Sequence, residues 1–248
     1  MSREERVYPD FADSHYALHL QRYMWVLPAA YNSDVLDAGC GSGYGADLLA
    51  AVARSVVAVD HDAEAVVENR SRYAYRRNLR FETQDVAELE FPDRTFDLIV
   101  SFEVYEHIET ARSEMFMHHL SRLCRLGGRV LLSTPNRLVE KPFLKSAGQV
   151  YKYHINSVSP AELRTRLKRY FRSVELLSQR VKAPLVKETL RSLDIFNIRH
   201  HLLSHLMRQR LDRLLAARSA SEPLGPKDIV IARSLVRQSG IFLALCSH

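Results

Sequence analysis

Three carboxylates close short apolar runs in the first third of the chain: Asp37 in VLDAGCGSGYG, Asp60 in VVAVDHD and Asp85 in TQDVAEL. The first stands directly before Gly39, Gly41, Gly43 and Gly45, a loop whose missing Cβ atoms let a ligand approach the backbone closely. Gly41-Ser42-Gly43-Tyr44-Gly45-Ala46 by itself also fits the dinucleotide pattern G-x-G-x-x-G/A. Asp37 decides between the two readings. A carboxylate beside a helix N-terminus would repel a pyrophosphate, whereas it attracts a ligand that carries cations and no phosphate. S-adenosylmethionine, with its ammonium and sulfonium, has that charge. Asp60 follows about twenty residues later, where an acid can accept from both ribose hydroxyls. Asp85 follows the third predicted strand, in TQDVAEL, and can accept from an adenine amino group.

A second constellation lies downstream, in Glu103-x-x-Glu106-His107 and in His154 of Tyr151-Lys152-Tyr153-His154. Methyl transfer is an in-line displacement, and a hydroxyl acceptor must lose its proton during or after attack, which suits a histidine at neutral pH. His154, in the loop that should cross above the methyl group, is the preferred base, and His107 is its rival, with Glu103 beside it. Two carboxylates and one or two imidazoles can also ligate a divalent metal that would acidify the hydroxyl. The metal-free acid/base reading is carried forward, with no residue assigned to a metal.

These residues need elements to hold them. From Asn32 onward, short apolar runs alternate with longer helical patterns, the mark of a parallel sheet with crossover helices. Strands are predicted near 34–38, 55–60, 79–82, 95–102 and 127–134, with helices at about 44–53, 63–76 and 110–125. Gly127-Gly128 is expected to end the last of these helices. Ser159-Pro160-Ala161-Glu162 reads as a capped helix start. Two further strands are expected at 173–179 and 240–246. The fold class is α/β, a doubly wound, mostly parallel seven-stranded sheet. A helical lead-in (1–31) precedes the core (32–180). A basic helical insertion (181–220) precedes the last strand region (221–248), all within one domain.

Across 248 residues, 46% hydrophobic and 26% charged content describes an ordinary soluble core. No run approaches the roughly 20 apolar residues of a membrane helix, and three unrelated cysteines give neither a disulfide framework nor a metal motif, so a cytoplasmic protein is expected. The net charge of +6 is concentrated between Lys182 and Arg218, where eight Lys or Arg face three acids. Phe196 is the sole aromatic there, too little for a base-stacking platform, so nucleic acid is not the expected partner. The leucine stripe from Ile198 to Leu215 suits a lid or a homodimer contact instead.

In order and spacing, VLDAGCGSG, VVAVDHD, QDVAEL, FDLIVSFEVYEHI and LSRLCRLGGRVLLSTPN resemble the class I (Rossmann-like) S-adenosylmethionine-dependent methyltransferases over roughly residues 30–180. That resemblance implies a cofactor site lined by Asp37, Gly39, Gly41, Asp60, Asp85 and Ser101, with Cys40, Gly43, His61 and Val86 beside them. GCGSGYGADLLA, SFEVYEHI, STPNR, the Tyr-x-His segment and an early His-Leu-Gln-Arg-Tyr at 19–23 resemble methyltransferases of bacterial glycan and O-antigen biosynthesis. This narrower likeness implies a small-molecule or glycan acceptor and O-methylation. The Glu103–His107 cluster is similar to that of ubiquinone-pathway O-methyltransferases and, with His154, to that of small-RNA 2′-O-methyltransferases. Metal-assisted RNA methylation, and cofactor binding without turnover, are the alternatives.

Overall fold

A computed structural model of the protein describes residues 14–140, 153–181 and 228–248. Its elements run α1 (Ser14–Ala30), β1 (Asp34–Ala38), α2 (Tyr44–Ala50), β2 (Ser55–Asp60), α3 (Ala63–Arg72), β3 (Leu79–Thr83), β4 (Phe96–Phe102), α4 (Ser113–Leu123), β5 (Cys124–Pro135), α5 (Pro160–Leu167), β6 (Ser173–Val181), β7 (Ile229–Ala232) and β8 (Ile241–Ser247). The strands form one sheet in the order β3-β2-β1-β4-β5-β8-β6-β7. The first five pair in parallel, and the pairs β5–β8, β8–β6 and β6–β7 are antiparallel.

Side chains alternate between two cores, as a pleated sheet covered on both faces requires. Leu36, Val57, Val59 and Ile99 face one core, built with α4 and α5, while Val35, Val56, Ala58, Leu98 and Val100 face the other, built with α1 and α2. Local signals fix the helix starts. The Asp62 side chain accepts from the amides of Glu64 and Ala65, and Ser159 and Glu162 make the reciprocal capping box that their spacing announces.

Three expectations change. Among the described residues the sheet has an eighth strand, β7, on its far edge, hydrogen-bonded there to β6 alone. Gly127 and Gly128 do not end α4, which stops at Leu123 and passes directly into β5. They lie within β5, where pairing with β4 jumps from Phe96–Cys124 to Leu98–Arg129. Gly127 there adopts φ +81°, and a Cβ on Gly128 would fall 2.8 Å from the Asp97 carbonyl oxygen. The glycine pair therefore serves a bulge instead of a cap. The helices are also shorter than their apolar periodicity, ending at Ala50, Arg72 and Leu123. The basic insertion at 183–218, with the dimer contact expected of it, lies outside the described residues. Among the described residues no helix is long and apolar enough to cross a membrane.

Candidate active site at the carboxyl ends of the parallel strands

Parallel register brings the three acids to one edge of the sheet: Asp37 lies level with Ala58 of β2, and Asp60 of β2 with Thr83 of β3. The chain then turns through Gly39, Gly41 and Gly43, all at positive φ, into α2. The amides of Gly39 and Cys40 both donate to the Val59 carbonyl at 2.9 Å. Asp60 braces the turn from beneath, its Oδ2 accepting from the Gly41 amide at 2.9 Å and its Oδ1 from the Asp62 amide at 3.0 Å. His61 Nδ1 lies 3.5 Å from the same carboxylate. Ser101, 1% exposed, lines neither of the two cavities beside the loop and donates to the Ala38 carbonyl at 2.7 Å.

Asp37 is fully buried, and Tyr23 of α1 donates to its carboxylate, 3.2 Å from either oxygen. Burial pushes the carboxyl up to about 7; the Tyr23 hydrogen bond opposes this and the nearby Asp60 charge adds to it. Asp37 is 0% exposed and lines neither of the two cavities beside the glycine loop. The same Tyr23 explains Gly45. A Cβ there would lie 2.0–2.3 Å from the Tyr23 ring, so this glycine makes room for α1, and close approach of a ligand is not its reason.

Two cavities meet at Gly39, Glu103 and His107. The smaller, about 270 Å³, gathers Asp60, His61, Asp85, Val86 and Ile108. Asp85 is engaged there already, accepting from the Ala87 amide at 2.8 Å and from Arg112 at 2.9 Å. Burial, which would raise its pKa, is outweighed by these two donors, and the carboxyl titrates below its ordinary value.

The larger cavity, about 400 Å³, runs from the glycine loop past Phe102 to Glu106, His107, Glu140 and His154, under a roof formed by α1. Glu103 begins the turn after β4 at φ +56°, so the chain folds back sharply into the single helical turn Tyr105–His107. The segment Ser133-Thr134-Pro135-Asn136-Arg137, at and just beyond the end of β5, is tied to the groups around the cavity and to α5. Ser133 donates to Glu103 at 2.7 Å and Thr134 to Glu106 at 2.9 Å, while Pro135 lines the cavity. Asn136, wholly buried, donates to the carbonyls of Arg237 and Ser239, and Arg137 reaches Glu162. Asn136 also accepts the Val139 and Glu140 amides on its carbonyl, which turns Glu140 over the cavity.

Glu106 is buried to 1% exposure, and its Oε1 has no hydrogen-bond partner among the described residues. Burial, reinforced by the Glu103 charge, drives its pKa well above the ordinary carboxylate value. His107 and His154 meet edge to face with ring centroids 5.1 Å apart. Donor atoms of Glu106, His107 and His154 all fall within 4.8 Å of one another. The structure thus brings the sequence-predicted His107 and His154 together, with a Glu106 carboxylate oxygen within 4.8 Å of a nitrogen on each ring and Glu103 three residues before Glu106.

Sequence reasoning missed the contribution of α1. Arg22 lines the cavity from α1 and is buried, donating to Gln179 of β6 at 2.7 Å and to Ser133 at 2.9 Å, and lying 3.1 Å from Glu103. His19 shares a hydrogen bond with Tyr44 at 2.7 Å, and burial with the Arg22 charge lowers its pKa well below the ordinary histidine value. The signal was present: His19, Arg22 and Tyr23 interrupt the inner face of an otherwise apolar helix, which demands polar partners in the core.

The chain matches the family profile described as "Methyltransferase domain" over residues 13–170. It is 42% identical over 141 residues to a probable S-adenosylmethionine-dependent methyltransferase of Mycobacterium tuberculosis, covering 56% of this chain and 49% of the relative. It is 30% identical over 126 residues to a ubiquinone biosynthesis O-methyltransferase of Rickettsia akari, covering 50% and 45%. The chain therefore spans about half the length of these curated relatives. The solved structure of the YcgJ protein from Bacillus subtilis superposes with a TM-score of 0.59 at 16% identity, covering 94% of this chain and 99% of that one, a likeness of fold. With the profile covering more than half of the sequence, the chain belongs to the methyltransferase domain family.

Proposed function

We propose that the chain transfers a methyl group from S-adenosylmethionine to a hydroxyl of a small organic acceptor, a sugar or glycan hydroxyl being the class its sequence favours. One observation carries this reading: the 400 Å³ cavity joins the glycine loop to a cluster of Glu106, His107 and His154. The cofactor supplies an activated methyl on a sulfonium; the protein has to place it and manage a proton. When bound, the cofactor's methionine end would be held by Asp37 and the Gly39–Gly43 backbone, its ribose by Asp60 and His61, and its adenine by Asp85 and Val86. The acceptor occupies the larger cavity with its oxygen toward His154. As the oxygen–carbon bond forms and the carbon–sulfur bond breaks, His154 takes the hydroxyl proton, with His107 as its neighbour and Glu103 fixing the turn that carries His107. The relative named as a ubiquinone biosynthesis O-methyltransferase supports oxygen as the receiving atom.

A pooled assay of hydroxylated acceptors, read by S-adenosylhomocysteine release, tests the proposal. His154→Ala should remove transfer and leave S-adenosylhomocysteine affinity unchanged; equal loss of both would show that the residue only supports the fold. A second reading rests on the orphaned Glu106 Oε1. With His107 and His154 it fits a divalent cation, which would acidify the acceptor hydroxyl. Activity unaltered by exhaustive chelation dismisses that reading.

A further inference from the structure

Glu140 belongs to neither the cofactor loop nor the turn after β4, yet both of its carboxylate oxygens are committed. Oε1 is hydrogen-bonded to His154 Nδ1, and Oε2 accepts from the Ser157 hydroxyl at 3.0 Å. Each side chain of the Glu140–His154 pair is 13% exposed, so water competes little for the contact. The backbone around it is pinned on both sides. Asn136 accepts the Glu140 amide at 2.8 Å, and the Asn156 amide donates to the Glu106 carbonyl at 3.0 Å, which ties the His154 loop to the turn that carries His107.

We propose that Glu140 is the positioning residue of the acceptor site, fixing both the orientation and the tautomer of His154. This inference rests on the reading of His154 as the proton acceptor. A carboxylate can only accept, so in neutral His154 the proton is held on Nδ1 and the lone pair stands on Nε2. Nε2 is then the nitrogen that meets the acceptor hydroxyl. Without Glu140 the ring would be able to rotate about χ2 or carry its proton on Nε2, and in that tautomer it would present a donor where the hydroxyl also needs to donate. Ser157 keeps the carboxylate itself from rotating. The same arrangement would serve a metal, because an imidazole bonded through Nδ1 to a carboxylate is oriented and made more basic at Nε2.

The test uses the full chain saturated with S-adenosylhomocysteine, its histidine rings labelled with nitrogen-15, at a pH where His154 is neutral. His154→Gln identifies the ring's signals. In the unaltered protein Nδ1 should carry the proton and Nε2 should show the shift of an unprotonated nitrogen. Glu140→Gln, whose amide can also donate, should give a mixture of tautomers. In the pooled-acceptor assay the same variant should lower turnover roughly tenfold or more at unchanged KM for S-adenosylmethionine. Unchanged S-adenosylhomocysteine affinity is the control for folding. A proton on Nε2 in the unaltered protein overturns the proposal, and so does a ring that stays doubly protonated into alkaline conditions. It is equally overturned if Glu140→Gln changes neither tautomer nor turnover while His154→Gln abolishes transfer. Transfer surviving in His154→Gln instead sinks the underlying reading of His154 as base.

Discussion

The proposed cofactor half and the proposed acceptor half of the site are built on different principles. In the first, three acids sit at the ends of β1, β2 and β3, and parallel pairing alone places them on one edge. In the second, the groups come from the turn after β4, the end of β5, α1, β6 and the loop before α5. Buried polar bonds such as Arg22 to Gln179, Ser133 to Glu103 and Asn136 to the Ser239 carbonyl hold them together. A cradle made by backbone periodicity tolerates changes around it, while a wall made of interlocked side chains fails piece by piece. The two halves share one strut, Tyr23, whose hydroxyl meets Asp37 and whose ring occupies the space that Gly45 leaves.

The largest expected effect separates the halves. Asp37→Ala should weaken S-adenosylhomocysteine binding roughly a hundredfold or more, the scale of removing one partner of a buried charge pair. Calorimetry on this variant and on His154→Ala would break the comparison if both lost affinity alike. Next, Gly45→Ala forces a Cβ into the Tyr23 ring and should destabilise the protein by roughly 1–3 kcal/mol. Thermal unfolding should report this as a loss of several degrees, and a Tm equal to that of the unaltered protein would show that α1 yields freely.

A smaller effect is expected from pH. With Asp37 titrating at about 7, the carboxyl is protonated on the acid side and ionised above. Binding of an ammonium needs the ionised form, so affinity should rise as pH increases, by at most about tenfold per unit, and level off above about 7. Tyr23→Phe removes the hydrogen bond that lowers this pKa and should move the rise to higher pH; affinity flat across neutrality would exclude Asp37 as the controlling group. The smallest change should come from Arg112→Ala. Its ion pair with Asp85 is over a third exposed, and losing it should alter affinity by no more than about threefold. A larger loss would make Arg112 part of the cradle instead of its rim.

The same division explains what could be read from the sequence. The strands, the glycine loop and the acid at each strand end are local patterns of period two, apolar run and turn, and the structure has them at the expected positions. The capping box before α5 was legible for the same reason. Gly127-Gly128 misled because a glycine pair after an amphipathic run signals a cap, while its actual cause, the register jump opposite Phe96, depends on a strand distant in sequence. Gly45 was credited to a ligand, although the ring that requires it comes from α1. His107 and His154 could be named singly. That Glu106 would lie beside both, and Glu140 would bond to His154, depends on the partners of Asn136 and Asn156, which no spacing encodes.

One feature of the topology governs how the site comes into being. Strand β8 lies between β5 and β6, so these two, consecutive in the chain, are joined in the sheet through Ile241–Ser247 and not by pairing with each other. Pairing of β8 with β5 closes the loop from Pro135 to Ile241 and delivers the Gly240 turn to the cavity wall at the same moment. Loop closure of that span is entropically slow, whereas β1, β2 and β3 meet through short crossovers. Refolding should therefore restore cofactor affinity in an early phase and methyl transfer in a later one, with the final strand acting as the latch that separates them in time.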